Sequence, residues 1–152
     1  MSAFAIRTAT LDDVEELCGV FRRSSLSNDG DRAGLLAAPE HLSFDGAHVA
    51  QDRTRVVAVD EQIVGFATTL DRGETLELED LFVDPDWMRQ GVGRLLVADA
   101  LALGEASGSV GIEVTANPHA LDFYESVGFV GEAQIETALG AGRRMRLTVL
   151  TR

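Results

Sequence analysis

The sequence predicts a mixed α/β fold in one domain spanning residues 1–152. Three observations predict it. Between residues 55 and 83, three β-rich runs follow one another with short polar breaks, the pattern of an antiparallel meander. Between residues 76 and 115 a strand, a glycine-bearing loop, a helix and a second strand succeed one another; such a crossover makes the two strands parallel, with a right-handed connection. A chain of 152 residues also suits one sizeable core.

Residues 3–8 read as a short strand. Thr10 then stands as an N-cap, with Asp12 and Asp13 where the helix dipole favours acids. Leu11, Val14, Cys18 and Phe21 recur at helical spacing, which places Cys18 on an apolar face as a core residue. Residues 24–52 are the least regular stretch. A short helix is expected near 32–37, ended by Pro39. His41 and His48, with Glu40 and Asp45, lack metal-ligand spacing and read as loop residues. A polar segment of this length suggests a lid or binding loop.

Runs at 55–59 and 63–70, separated by Asp60, Glu61 and Gln62, form a hairpin. A turn at 71–74 containing Gly73 leads to a strand at 75–83, which Asp84, Pro85 and Asp86 break. The next helix is expected over 92–103, with Val92, Leu96, Ala100 and Leu103 as its apolar stripe. A strand follows at 110–115. Asn117 and Pro118 form a helix start. Ala120, Phe123, Tyr124 and Val127 share a face of that helix, and Gly128 stops it. A closing hairpin pairs 129–136 with 143–150, with Gly140 and Gly142 in its turn. Met145, Leu147 and Val149 point one way, and Arg144, Arg146 and Thr148 the other. No internal repeat or domain boundary is visible.

Composition narrows the function. Apolar residues make up 45% and charged residues 25%, a globular profile. The net charge is −12, from 25 acids against 13 bases. That surface repels phosphates, which argues against nucleic-acid partners; it serves solubility and tolerates cationic small molecules. No apolar run is long enough to span a bilayer, so no membrane role is expected. The first residues carry neither a basic leader nor a long apolar stretch, and Cys18 is the only cysteine, so a cytoplasmic protein without an intrachain disulfide is expected.

The stretch 76–96 carries the chemistry. Backbone N–H groups at the start of a helix have no partner within it and lie at the positive end of its dipole. Gly91 and Gly93 leave that backbone open to close approach, as a phosphate site requires. In the strand before it, Leu76 and Leu78 share one face and Glu77 and Glu79 the other. Leu81 and Val83 fall out of phase, so a β-bulge is expected between Glu79 and Leu81, freeing backbone groups for a ligand.

The segments LEDLFVDPDWMRQGVGRLL at 78–96 and NPHALDFYESVGF at 117–129 resemble the GCN5-related N-acetyltransferases (GNAT), in the same order and joined by one helix and one strand. The resemblance extends over nearly the whole chain. It implies a mostly antiparallel twisted sheet of about seven strands, with two splayed parallel strands at its centre. It also implies an acetyl-CoA-dependent acyltransferase that acts on a primary amine of a small molecule or peptide by direct attack in a ternary complex. No metal is implied. In this likeness the N–H groups of Arg89, Gln90, Gly91, Val92, Gly93 and Arg94 hold the CoA pyrophosphate. Leu81, Phe82 and Val83 bond the pantetheine like an added strand, and Asn117 contacts the same arm. Tyr124 is the implied general acid and Glu79 a candidate base, with Asp80 and Glu113 nearby. Main-chain donors near Leu81 would polarise the thioester carbonyl. Met88 stands where the family has Gln or Arg, which weighs against a polar side-chain contact there but not against the backbone cradle. Family members are often dimers, so a homodimer is compatible. Alternatives are a non-catalytic acyl-CoA sensor and a protein N-terminal or lysine acetyltransferase.

Overall fold

The structure is a computed structural model that describes residues 3–27, 29–38, 40, 44, 46–137 and 140–149. Its strands are β1 (Ala5–Thr8), β2 (Thr54–Val59), β3 (Gln62–Asp71), β4 (Thr75–Val83), β5 (Gly111–Ala116), β6 (Val130–Thr137) and β7 (Gly140–Thr148). Its α-helices are α1 (Val14–Leu26), α2 (Asp29–Ala37), α3 (Val92–Ser107) and α4 (Leu121–Ser126). The seven strands hydrogen-bond in the order β1-β2-β3-β4-β5-β7-β6. β4 and β5 run parallel, while β1–β2, β2–β3, β5–β7 and β6–β7 are antiparallel. The expected mixed sheet of about seven strands is therefore present. No helix among the described residues is long and apolar enough to cross a membrane.

The residues gather into two compact units: residues up to Thr68 with Asp80–Leu96, and Thr69–Glu79 with residues from Val97 on. In the first unit, Ala9, Leu17, Val20, Val49, Val56, Ile63 and Phe66 form the core, with Val14, Phe21, Phe44 and Phe82 against it. Phe82 lies edge-to-face on Phe21, with centroids 4.8 Å apart, and 5.6 Å from Phe66. The buried face of α1 is Leu17, Val20 and Ser24, one step round from the expected stripe. Leu11 is 67% exposed, because it sits in a 3-10 turn (Leu11–Asp13) before α1 begins. Cys18 is half-buried, its Sγ 3.1 Å from the Phe44 carbonyl oxygen.

The β2–β3 turn is tighter than expected. Only Asp60 and Glu61 intervene, both at positive φ (49° and 69°), the backbone of a two-residue primed hairpin turn. The 24–52 stretch is more ordered than a bare loop: α1 runs to Leu26, α2 follows, and turns occupy 47–52. Pro39, His41 and Asp45 lie outside the described residues. His48 is described, and its Nδ1 is buried without a hydrogen-bond partner.

In the second unit, the α3 stripe is Ala100 with the buried Gly104, rather than Leu103, which is 37% exposed. A Cβ on Gly104 would lie 3.3 Å from Val149 Cγ2 and 3.6 Å from Leu76 Cδ1, so glycine lets the helix sit close to the strands. Gly128, at φ +105°, stops α4 as expected. Its N–H donates to the Glu125 carbonyl and that of Phe129 to the Tyr124 carbonyl, a Schellman closure. The start of α4 differs from expectation: the helix begins at Leu121, and residues 118–120 form a turn. Gly140 and Gly142 lie within β7, where Gly142 pairs with Ile135. The two glycines are therefore strand residues, and 138–139 lie outside the described residues.

Candidate active site

The first unit carries the strand end and the glycine loop. Asp84 ends β4 with a side chain only 4% exposed. Its Oδ1 accepts the Asp86 N–H at 3.0 Å, capping a 3-10 turn (Pro85–Trp87). Its Oδ2 accepts from Arg23 Nε at 3.1 Å and Nη2 at 2.7 Å. The Asp84 N–H donates to the Val64 carbonyl at 2.8 Å. Asp84 thus ties the entrance of the loop to α1 through its buried carboxylate and to β3 through its backbone N–H. On the other side of the loop, α3 sits close on β3, because a Cβ on Gly65 would lie 2.7 Å from Val92 Cγ1 and 3.1 Å from the Phe82 carbonyl oxygen.

Between these anchors Arg89 and Gly91 both adopt positive φ, +64° and +89°. For arginine this conformation is uncommon. Turns of this kind aim successive N–H groups inward, the arrangement of anion-binding concavities. The Leu95 N–H closes the first turn of α3 on the Gly91 carbonyl at 3.0 Å. The N–H groups of residues 89–94 donate to no protein acceptor among the described residues. Met88 is 42% exposed and supplies no polar side-chain contact.

Leu81, Phe82 and Val83 complete β4 in this unit, all half-buried. The in–out alternation along β4 holds from Thr75 to Glu79 and stops there; the four residues Asp80 to Val83 are all half-buried. The strand itself is continuous, so the change of phase does not break it.

The second unit holds the remaining residues singled out from the sequence. The β4–β5 ladder consists of Thr75–Gly111, Leu76–Ile112 and Glu77–Glu113. Within this unit Leu78 and Glu79 of β4 continue past the last of these pairs with no partner on β5, while β5 stays paired with β7 to Ala116. Backbone groups seek partners, so such an edge can accept an extended ligand as an added strand. The Glu79 side chain is exposed and makes no hydrogen bond or ion pair among the described residues. Glu113 is not a free base: its Oε2 accepts from Arg144 Nη2 at 2.8 Å. The same guanidinium holds Glu77 by two bonds, at 2.7 and 2.8 Å. These bonds, those to Glu77 foremost, raise the Arg144 pKa above its ordinary value.

Asn117 is not the N-cap of α4, which is Ala120; its Oδ1 accepts the Ala120 N–H at 3.0 Å and closes the turn ahead of the helix. Tyr124 is 6% exposed, its ring edge-to-face with Phe123 and Phe129 at 5.2 Å each. Its body is therefore core and its hydroxyl the polar end. A shallow depression of about 150 Å³ lies beside Ala116, Pro118, Leu121 and Arg143, smaller than a typical ligand pocket. No group of three or more His, Cys, Asp or Glu that could hold a metal occurs among the described residues.

Sequence reasoning missed Arg23, Asp84, Glu77 and Arg144. Glutamates one and two strands away from an outward arginine were a usable signal, but only once the register was known.

A family profile described as an acetyltransferase (GNAT) domain matches residues 39–140. The chain is 33% identical over 134 residues to the peptidyl-lysine N-acetyltransferase YjaB of Salmonella typhimurium, covering 86% of this chain and 88% of that protein. Among solved structures, a GCN5-related N-acetyltransferase from Rhodopseudomonas palustris superposes with a TM-score of 0.81 at 21% identity, over 97% of both chains. The PaiA N-acetyltransferase of Thermoplasma acidophilum, in complex with coenzyme A, superposes with a TM-score of 0.75 at 18% identity, over 96% of this chain and 99% of that one.

Proposed function

The chain belongs to the GNAT acetyltransferases, and on that premise we propose that it moves an acetyl group from acetyl-CoA to a primary amine, with a peptide lysine as the first acceptor class and small-molecule amines as the second. The observation that carries this reading is the run of N–H groups at residues 89–94, with no acceptor among the described residues outside their own turn and α3, at the N-terminus of that helix. Six donors and a helix dipole suit a diphosphate. Leu81, Phe82 and Val83 would bond the pantetheine arm, and the family likeness gives Asn117 a contact with the same arm. The lysine preference draws on the name of the Salmonella relative and on the net charge of −12, which attracts cations.

In this scheme acetyl-CoA supplies the activated thioester. Main-chain donors near Leu81 polarise its carbonyl. Glu79, exposed and unpaired, takes the ammonium proton directly or through water. Tyr124 gives its phenolic proton to the departing thiolate; its buried ring holds that hydroxyl at a defined position. Cys18 forms no covalent intermediate. Thiols stay reduced in the cytoplasm, the compartment proposed here.

The test is thiol release from acetyl-CoA with a panel of lysine peptides, N-terminal peptides, polyamines and amino acids. Release with at least one amine is expected. Tyr124→Phe should lower kcat about a hundredfold with the fold retained. CoA binding with no release for any amine would favour the acyl-CoA sensor. Unchanged turnover of Glu79→Gln across the pH range would remove Glu79 as base. Sedimentation of the same preparation reads whether the chain forms the homodimer common in its family.

A further inference from the structure

We propose that Arg144 is a positioning residue for the acetyl-CoA groove: it clasps the last rung of the parallel β4–β5 ladder and so sets where the two strands part. The proposal rests on reading the unpaired continuation of those strands as the acetyl-CoA site.

That last rung opposes Glu77 and Glu113. Like charges directly opposite one another weaken a strand pair. Left alone, this rung would be the weakest of the three, and the strands would separate one residue earlier. Arg144 belongs to β7, where it pairs with Thr115 of β5. Its side chain crosses β5 to reach β4. Nη1 donates to Glu77 Oε2 at 2.7 Å and to Thr115 Oγ1 at 2.9 Å. Nη2 donates to Glu77 Oε1 and Glu113 Oε2, both at 2.8 Å. The two carboxylates are thus drawn onto one nitrogen, so their bonded oxygens are no more than twice that distance apart. Arg146 adds a second cation 3.9 Å from Glu113 Oε1. Gly111 leaves room for it, since a Cβ there would lie 2.8 Å from Arg146 Nε. The side chains of Glu77, Glu113 and Arg144 are 13%, 24% and 24% exposed, so water screens this cluster less than a surface pair.

The consequence is geometric. Losing one rung moves the point of divergence by one residue, roughly 3.3 Å along the strand. Leu78 and Glu79 on β4 and Val114 to Ala116 on β5, which follow that rung, then shift relative to an extended ligand. Displacements of about 1 Å already cost an active site dearly.

The test compares the parent with Arg144→Ala, Arg144→Lys and Arg144→Ala/Glu113→Gln. Three measurements are made on each: amide hydrogen exchange without ligand, calorimetric binding of acetyl-CoA, and thermal melting. In Arg144→Ala, exchange at residues 76–78 and 112–114 should quicken and the Kd for acetyl-CoA should rise about tenfold. Arg144→Lys should fall between, because an ammonium cannot form the two-pronged bond. Glu113→Gln should restore most of the affinity by removing the opposed charge, which a generic loss of packing would not allow. Parent-like exchange and affinity in Arg144→Ala, or no recovery with Glu113→Gln, overturns the proposal. If Arg144→Ala does not fold by circular dichroism, Arg144→Lys with and without Glu113→Gln decides: a loss of about threefold or more that is recovered supports the clasp, and parent-like binding overturns it. A parent that binds no acetyl-CoA overturns the reading beneath the proposal; the ligand-free exchange arm separates that result from failure of the clasp.

Discussion

Replacing Arg23 by alanine tests the anchoring of the glycine loop. Arg23 is half-exposed, with 53% of its side chain accessible, but the carboxylate it holds is only 4% exposed. Removing it takes both N–H donors from Asp84 Oδ2 and leaves Oδ1 with the Asp86 N–H. Hydrogen bonds to a charged group are worth about 1.5–3 kcal/mol, and a carboxylate this deep is replenished only in part by water. The exposure of Arg23 discounts the upper end, so the expected loss is about 2 kcal/mol. For a chain of this size that lowers Tm by about 4–8 °C. Asp84 also opens the 3-10 turn that leads into residues 89–94, so the KM for acetyl-CoA should rise while kcat changes little. The assay is urea unfolding of Arg23→Ala, Asp84→Asn and the double variant, with KM measured on each. A neutral amide at position 84 needs no cation, so the cycle should show a coupling of about 1–2 kcal/mol. A coupling below about 0.5 kcal/mol, or an unchanged Tm in Arg23→Ala, would refute the argument that this pair anchors the loop.

Three further outcomes follow from the geometry. The Asp13 carboxyl is held down to about 2, chiefly by its bonds with Arg7. A depressed carboxyl pKa stabilises the fold above its ordinary value near 3.8, and that stability disappears as pH falls toward 2. Asp13→Asn should therefore cost about 1 kcal/mol near neutrality, allowing for the half-exposed Arg7, with the cost falling away as pH drops through about 2, as read by urea midpoints across pH. Gly91→Ala has open space for its Cβ but must hold φ at +89°. It should lose about 1–2 kcal/mol of stability and raise the KM for acetyl-CoA about tenfold, and a parent-like KM would show that the loop conformation does not matter. Gly65→Ala should cost about 1–3 kcal/mol by pushing Val92 off β3, with partial recovery in Gly65→Ala/Val92→Ala because the Phe82 carbonyl oxygen stays in the way.

The sequence by itself determined what local chemistry controls. The period-two runs placed β2, β3 and β4 within a residue or two, because alternation is written into each strand separately. The glycine loop and the uncapped start of α3 were legible because a helix start needs only its own residues to expose its N–H groups. Gly128 stopped α4 where expected, since only a residue comfortable at positive φ closes a helix in that way. Tertiary structure decided everything that depends on register and packing. Whether Leu11 or Leu17 meets the core depends on where β2 and β3 lie, not on helical spacing alone. Asn117 and Pro118 make as good a turn as a helix start, and packing moved the start of α4 to Leu121. Gly142 joined β7 because Ile135 stands opposite it. The union of Glu77, Glu113 and Arg144 joins residues far apart in the chain, and no local pattern could have put them on one nitrogen: that required the parallel crossover and the closing hairpin to bring three strands side by side.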